Sequence, residues 1–179
     1  MNMENTQAEA GRHYAVVRSR LSDLGPITVL HIGADATTVA VGDGAAPAAL
    51  RNLAMGARRT AREYFRQSPP GRLEFEIAIE PVEDEITTVV GMLPPASTLY
   101  STDPALRHIA LLAGVAESAA MRLELDAMER VFSRLAAVIQ GTPAAREGIP
   151  EDNEFAATLL ILREFMHHLR FPSIVILTV

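Results

Sequence analysis

Four arginines, Arg51, Arg58, Arg62 and Arg66, recur at intervals of seven, four and four, the spacing that lines one side of a helix. Guanidinium forks match the oxygens of carboxylates and phosphates, so such a row is chemistry for holding an anion. Arg58, Arg62 and Arg66 are the anion-binding candidates. The next segment carries Glu76, Glu80, Glu83 and Asp84. Two antiparallel helices joined by a short loop would lay these charges side by side. Solvated pairing of that kind contributes about 0–1 kcal/mol per pair, and it is the plainer reading of the arginine row.

A second pattern lies in Arg-Glu-Phe-Met-His-His at residues 163–168. Glu164 stands three residues before His167 and four before His168. Glu-x-x-His is the spacing by which di-iron bundles aim two ligands at one ion. Adjacent histidines on a helix point about 100° apart, so at most one of them faces a given metal. Glu164 and His168 are the metal candidates. One such pair is not a complete site. It needs partners such as Asp126 or Glu129, or a second copy of the chain. The histidines and Arg170 also complement the dipole at a helix C-terminus, and no cofactor is expected.

A third stretch, Val-Gly-Asp-Gly-Ala-Ala-Pro at 41–47, runs from an apolar strand pattern toward a helix start. A phosphate cradle there would need bare N–H groups aimed at the anion. Pro47 lacks that N–H, and Asp43 brings a charge of the wrong sign. The stretch reads as a plain turn. Just before it, Ile-Gly-Ala-Asp-Ala-Thr-Thr-Val-Ala-Val at 32–41 resembles the Asp-Gly-Thr phosphate hairpins of actin-like and sugar-kinase domains. Here Gly33 precedes Asp35, and that fold needs two lobes where this chain has room for one. The likeness is set aside on those grounds.

Composition removes other chemistries. Without cysteine there is no thiol nucleophile, disulfide or thiolate metal site. All sixteen basic residues are arginine, which removes P-loop lysines and Schiff bases. A net charge of −6 argues against nucleic acid as a partner. The N-terminus has no apolar run of the signal-peptide kind. The longest uncharged stretch, 86–102, is broken by Pro94-Pro95 and is too short to span a bilayer. No G-x-S-x-G elbow is present. His13, His31 and His108 have no partner at a telling spacing. Acid–base work by Glu83, Asp84 or Glu85 with a histidine stays open.

These groups need elements to position them. Tyr14, Val17, Leu21 and Leu24 mark a helix over 6–22. Residues 27–32 and 37–41 are β-branched strands around the four-residue loop 33–36. A helix over 47–67 carries Leu50, Leu53, Ala57, Ala61 and Tyr64 inward. Residues 73–80 fit either a strand or a helix, and 81–92 a helix. Asp103-Pro104 reads as N-cap and first helical residue. Asp126-x-x-Glu129 reads as a capping box, Asp152 or Asn153 caps the last helix, and Ser173–Val179 is a buried strand.

The sum predicts a helix-rich α+β single domain, 1–179, with a small sheet made of the early β-hairpin plus the C-terminal strand, and residues 1–5 disordered. A terminal strand must pair, either with the hairpin or with a second copy. The function expected is a non-enzymatic, protein-binding module of the cytoplasm that self-associates as a homodimer, with no nucleic-acid and no membrane partner. The alternative is a small enzyme or anion-binding protein using the arginine-faced helix and the histidine pair.

Overall fold

The computed structural model describes residues 3–22 and 25–178. Leu24, expected to extend the first helical stripe, lies outside them. The described chain forms helix α1 (Met3–Arg20) and strands β1 (Ile27–Ile32), β2 (Thr37–Gly42) and β3 (Ala49–Leu53). Helices α2 (Ala57–Tyr64) and α3 (Arg72–Thr87) follow, then a 3₁₀ turn, β4 (Thr98–Ser101) and α4 (Pro104–Leu112). The chain continues through β5 (Ala120–Glu124), α5 (Leu125–Ile139), the single turn α6 (Ala144–Glu147), α7 (Asn153–His168) and β6 (Ser173–Leu177).

All six strands join one sheet in the order β3-β2-β1-β4-β6-β5. The first three form an antiparallel meander, β4 runs parallel to β1, β6 parallel to β4, and β5 antiparallel on the edge. This overturns the expected small sheet. It is a mixed six-stranded α/β sheet with seven helices around it. Helix α1 covers one face through Tyr14 and Val17 against Ile27, Val29 and Ala40. The larger core on the other face packs β-strand residues against the remaining helices, chiefly the almost wholly buried α7.

The missed strands have identifiable causes. Leu50 and Leu53 sit three apart, which on a helix puts them on one face. On β3 the same spacing sends them to opposite faces, and Leu50 joins the α1 side while Leu53 joins the main core. Arg51 therefore lies on an edge strand and not in line with Arg58. The loop 43–48 closes the β2–β3 hairpin, with Ala48 donating to Val41 at 2.8 Å, so no helix starts at Pro47. Gly44 instead offers its carbonyl to Tyr14 and Arg18 of α1 at 3.0 and 3.1 Å. Strand β4 is four residues long, too short to show a period. The alternation of Met121 and Leu123 on β5 was present but sits against the α5 start. Helix α5 begins at Leu125 with Glu124 at the cap position, so Asp126 lies inside the first turn and caps nothing.

Residues 73–80 are helical. Helix α3 runs straight through Pro81, whose ring removes the bond to the Ile77 carbonyl. Ile77 is 54 % exposed, which leaves water free to satisfy that group. Asp152 caps α7 as expected, accepting from the Phe155 N–H at 2.7 Å. The C-terminal strand pairs with neither the hairpin nor a second copy, because β4 and β5 flank it. The edge that motivated a dimer is thereby closed.

Candidate functional site

Strands β1 and β4 run parallel, and their C-terminal ends open on one side of the sheet. In open α/β sheets that is where ligands bind. His31 is the penultimate residue of β1, and Asp103 follows β4 at the cap position of α4. The Asp103 carboxylate does not cap its own helix. One oxygen meets His31 Nδ1 at 2.5 Å, and the other accepts from the Ile32 N–H at 2.7 Å. Asp103 is itself 3 % exposed, and its N–H is held by Ser101 Oγ at 3.1 Å. This is the geometry by which a buried carboxylate fixes a histidine's tautomer and leaves Nε2 for chemistry.

Nε2 looks toward the β1–β2 turn. A Cβ on Gly33 would lie 3.3 Å from it and 2.7 Å from the Ala36 carbonyl. The turn is locked from below by the start of α2. Ala57 and Arg59 donate backbone N–H groups to the Gly33 and Ala34 carbonyls, both at 2.9 Å. Gly56 sits where a Cβ would meet three turn backbone atoms at 2.7 Å. Two of the first N–H groups of α2, those of Ala57 and Arg59, are thus spent on the turn and are not left for an anion.

Two cavities flank this turn. One, of about 400 Å³, is lined by Glu9, His31, Gly33, Asp35 and Arg58 among others. The other, of about 340 Å³, is lined by His108, Phe155 and Thr158 with the other side of the turn. Arg58 pairs with Asp35 at 2.5 Å, and its guanidinium holds the Asp35 carboxyl below the usual carboxylate range, with Arg62 adding its charge. Of the predicted anion row, Arg58 is in the cavity and Arg62 near it. Arg66 turns back to the Arg62 carbonyl at 3.2 Å.

His13 of α1 stacks on His31 with ring centroids 4.1 Å apart and donates to or accepts from Thr102 Oγ1 at 2.8 Å. Burial and then the neighbouring His31 lower the His13 pKa. For His31, burial also works against the charged ring, but the hydrogen bond and charge of Asp103, helped by Glu9, outweigh it and raise the pKa. The signs follow. His31 stabilises the fold below its unfolded pKa of about 6.5, and that contribution is lost as pH rises through the raised value. His13 does the opposite, weakening the fold as pH falls. An NMR titration of the two rings is expected to give two steps on either side of 6.5, the pair's rather than either ring's alone. Asp103→Asn should lower the upper step, and an unmoved upper step would show that Asp103 does not set it.

Glu9, His13 and His31 each offer an atom within 4.8 Å of the others. The rings are near-parallel, 17° apart, so their in-plane lone pairs do not converge on one ion, and both Nδ1 atoms are already engaged by Thr102 and Asp103. The predicted metal candidates lie elsewhere. Glu164 and His168 meet Glu83 of α3, and His167 pairs with Glu129.

Sequence reasoning missed His31, Asp103 and His13. Their partners stand 72 and 89 residues away, and no local spacing signals such a pair. The one clue was the Ile32–Val41 hairpin, whose likeness to actin-like phosphate hairpins is now explained by the fold.

The solved structures that resemble this chain point the same way. An Aquifex aeolicus PPX-GPPA enzyme superposes with a TM-score of 0.75 at 17% identity, over 95% of this chain and 59% of its own. A Cytophaga hutchinsonii exopolyphosphatase gives 0.70 at 12% identity over 96% and 59%, and an exopolyphosphatase-like protein 0.68 at 15% over 97% and 61%. No curated protein sequence matches. At such identities the likeness establishes the actin-like α/β fold. The chain spans about three fifths of the length of these relatives. Residues 5–177 match the Ppx/GppA phosphatase family. That match overturns the expectation of a non-enzymatic, protein-binding module and favours the enzyme and anion-binding alternative. The chain belongs to the Ppx/GppA phosphatase family.

Proposed function

We propose that this chain is part of a phosphatase acting on a phosphoanhydride substrate of the inorganic polyphosphate type. The observation that carries the reading is the His31–Asp103 pair at the mouth of β1 and β4, beside the β1–β2 turn. A ring with a raised pKa, fixed through Nδ1, can present a proton on Nε2 to a phosphate oxygen as the bond to it breaks. Arg58 gives the cavity a guanidinium that can exchange its exposed partner Asp35 for a phosphate. Glu9 and Asp35 fit a divalent cation carried in on the substrate's phosphates. Related solved structures include exopolyphosphatases by name, which supports the choice of substrate class. A cytoplasmic location goes with this reading, in keeping with a chain without cysteine. Among the described residues no helix is long and apolar enough to cross a membrane.

The test is a polyphosphate titration read by thermal shift and by phosphate release. Arg58→Ala should leave the melting temperature of the free protein nearly unchanged, because the pair it breaks is exposed. The same change should weaken the polyphosphate-induced shift roughly tenfold in concentration, since a charge-assisted bond is lost. His31→Ala should abolish phosphate release. A flat thermal shift and no release from the unaltered protein would sink the proposal.

A further inference from the structure

The geometry points to a second site, a divalent metal site that ties α3 to α7 through Glu83, Glu164 and His168. It stands on residues outside the cavity at the β1–β2 turn and does not depend on the phosphatase reading. His168 Nε2 lies 3.2 Å from Glu83 Oε1 and 3.4 Å from Glu164 Oε2. Four ligands at 2.0–2.1 Å around a tetrahedral zinc stand about 3.3 Å from one another. The two separations are the edges of such a tetrahedron, and the three ligand atoms all lie within 4.8 Å.

The cluster is built, not merely acidic. Glu164 is 2 % exposed, a position where a carboxylate needs compensation. Its Oε1 is fixed by Arg163 Nη1 at 2.6 Å, which leaves Oε2 for the cluster. Arg163 is in turn held by Glu129 at 3.0 Å and lies over the Phe132 ring at 4.4 Å. That arrangement is the supporting shell by which metal-binding carboxylates are oriented. His168 is 35 % exposed on its side chain, so an ion can enter and a water can complete the fourth position. One imidazole and two carboxylates suit zinc, and manganese or iron next. Two negative ligands and a neutral ring balance a divalent charge, and binding falls in acid because the ring must be unprotonated.

The experiment uses the untagged protein, titrated with Zn²⁺ by calorimetry and with Co²⁺ by visible absorption, where tetrahedral coordination gives intense bands. One ion per chain is expected, with a raised melting temperature. Glu83→Gln and His168→Ala should each weaken Zn²⁺ binding roughly tenfold or more and remove the Co²⁺ bands, with folding checked by circular dichroism. His167→Ala, next in sequence but paired with Glu129, should bind as the unaltered protein does. The assignment is overturned if the unaltered protein takes up no ion, if Glu83→Gln and His168→Ala bind normally, or if His167→Ala loses the ion equally.

Discussion

Asp103→Ala is expected to lower the stability of the protein by about 3 kcal/mol and to reduce phosphate release by at least roughly 100-fold. Asp103 carries two of the shortest contacts at the site, to His31 Nδ1 at 2.5 Å and the Ile32 N–H at 2.7 Å. Hydrogen bonds to a charged group contribute about 1.5–3 kcal/mol each, and the buried Ile32 N–H would be left without a partner. In a domain of this size each kcal/mol moves the melting temperature by about 2–4 °C, so a fall near 10 °C is the readout. The two effects can be separated. Asp103→Asn keeps the shape and can still accept from Ile32, so it should recover much of the stability. It removes the charge that holds the proton on His31, so activity should stay low and the pH optimum should move to lower pH. If Asp103→Asn were as active as the unaltered protein over the whole pH range, His31 would not be working through Asp103.

Gly56→Ala is expected to destabilise by about 1–3 kcal/mol, the range for forcing atoms into a packed site. The reason is space and not backbone angle. Gly56 has φ −163°, extended backbone that any residue adopts. The new methyl would meet the carbonyls of Gly33 and Ala34 and the N–H of Ala36, all at 2.7 Å. Those atoms are backbone of the turn, pinned to α2 by two further bonds, and cannot swing aside as a long side chain can. The turn must lift off α2, carrying Asp35 away from Arg58. Denaturant melts should show the loss of stability, and polyphosphate affinity should fall with it. Gly11→Ala is the control, because a Cβ there meets nothing within 4 Å; equal loss at both positions would refute the argument from close approach.

Legibility in the sequence followed the range of the interaction. The β1–β2 hairpin, the backbone start of α4 at Asp103-Pro104, the cap of α7 and the second half of α3 were readable, because each is set by residues close in sequence. Strand β3 was not, because Leu50 and Leu53 satisfy a helical spacing and a two-faced strand equally well. Only pairing with β2, Thr37 against Leu53 and Val41 against Ala49, decides between them. The buried position of β6 was likewise undetermined, since an apolar terminal strand does not name its neighbours.

The candidate site divides in the same way. The chain alone excluded thiol and lysine chemistry, and it picked out Arg58 and the Glu164–His168 pair by helical spacing. It also marked Asp103 as the start of a helix, which is correct for its backbone. What its carboxylate does was decided in three dimensions. Parallel pairing of β1 with β4 brings residues 72 apart within 2.5 Å, and the packing of α3 on α7 sets Glu83 beside His168. Local periodicity determines which face a side chain takes on its own element. Which other element meets that face depends on how the whole sheet closes, and that is a sum of long-range contacts no short window of sequence contains.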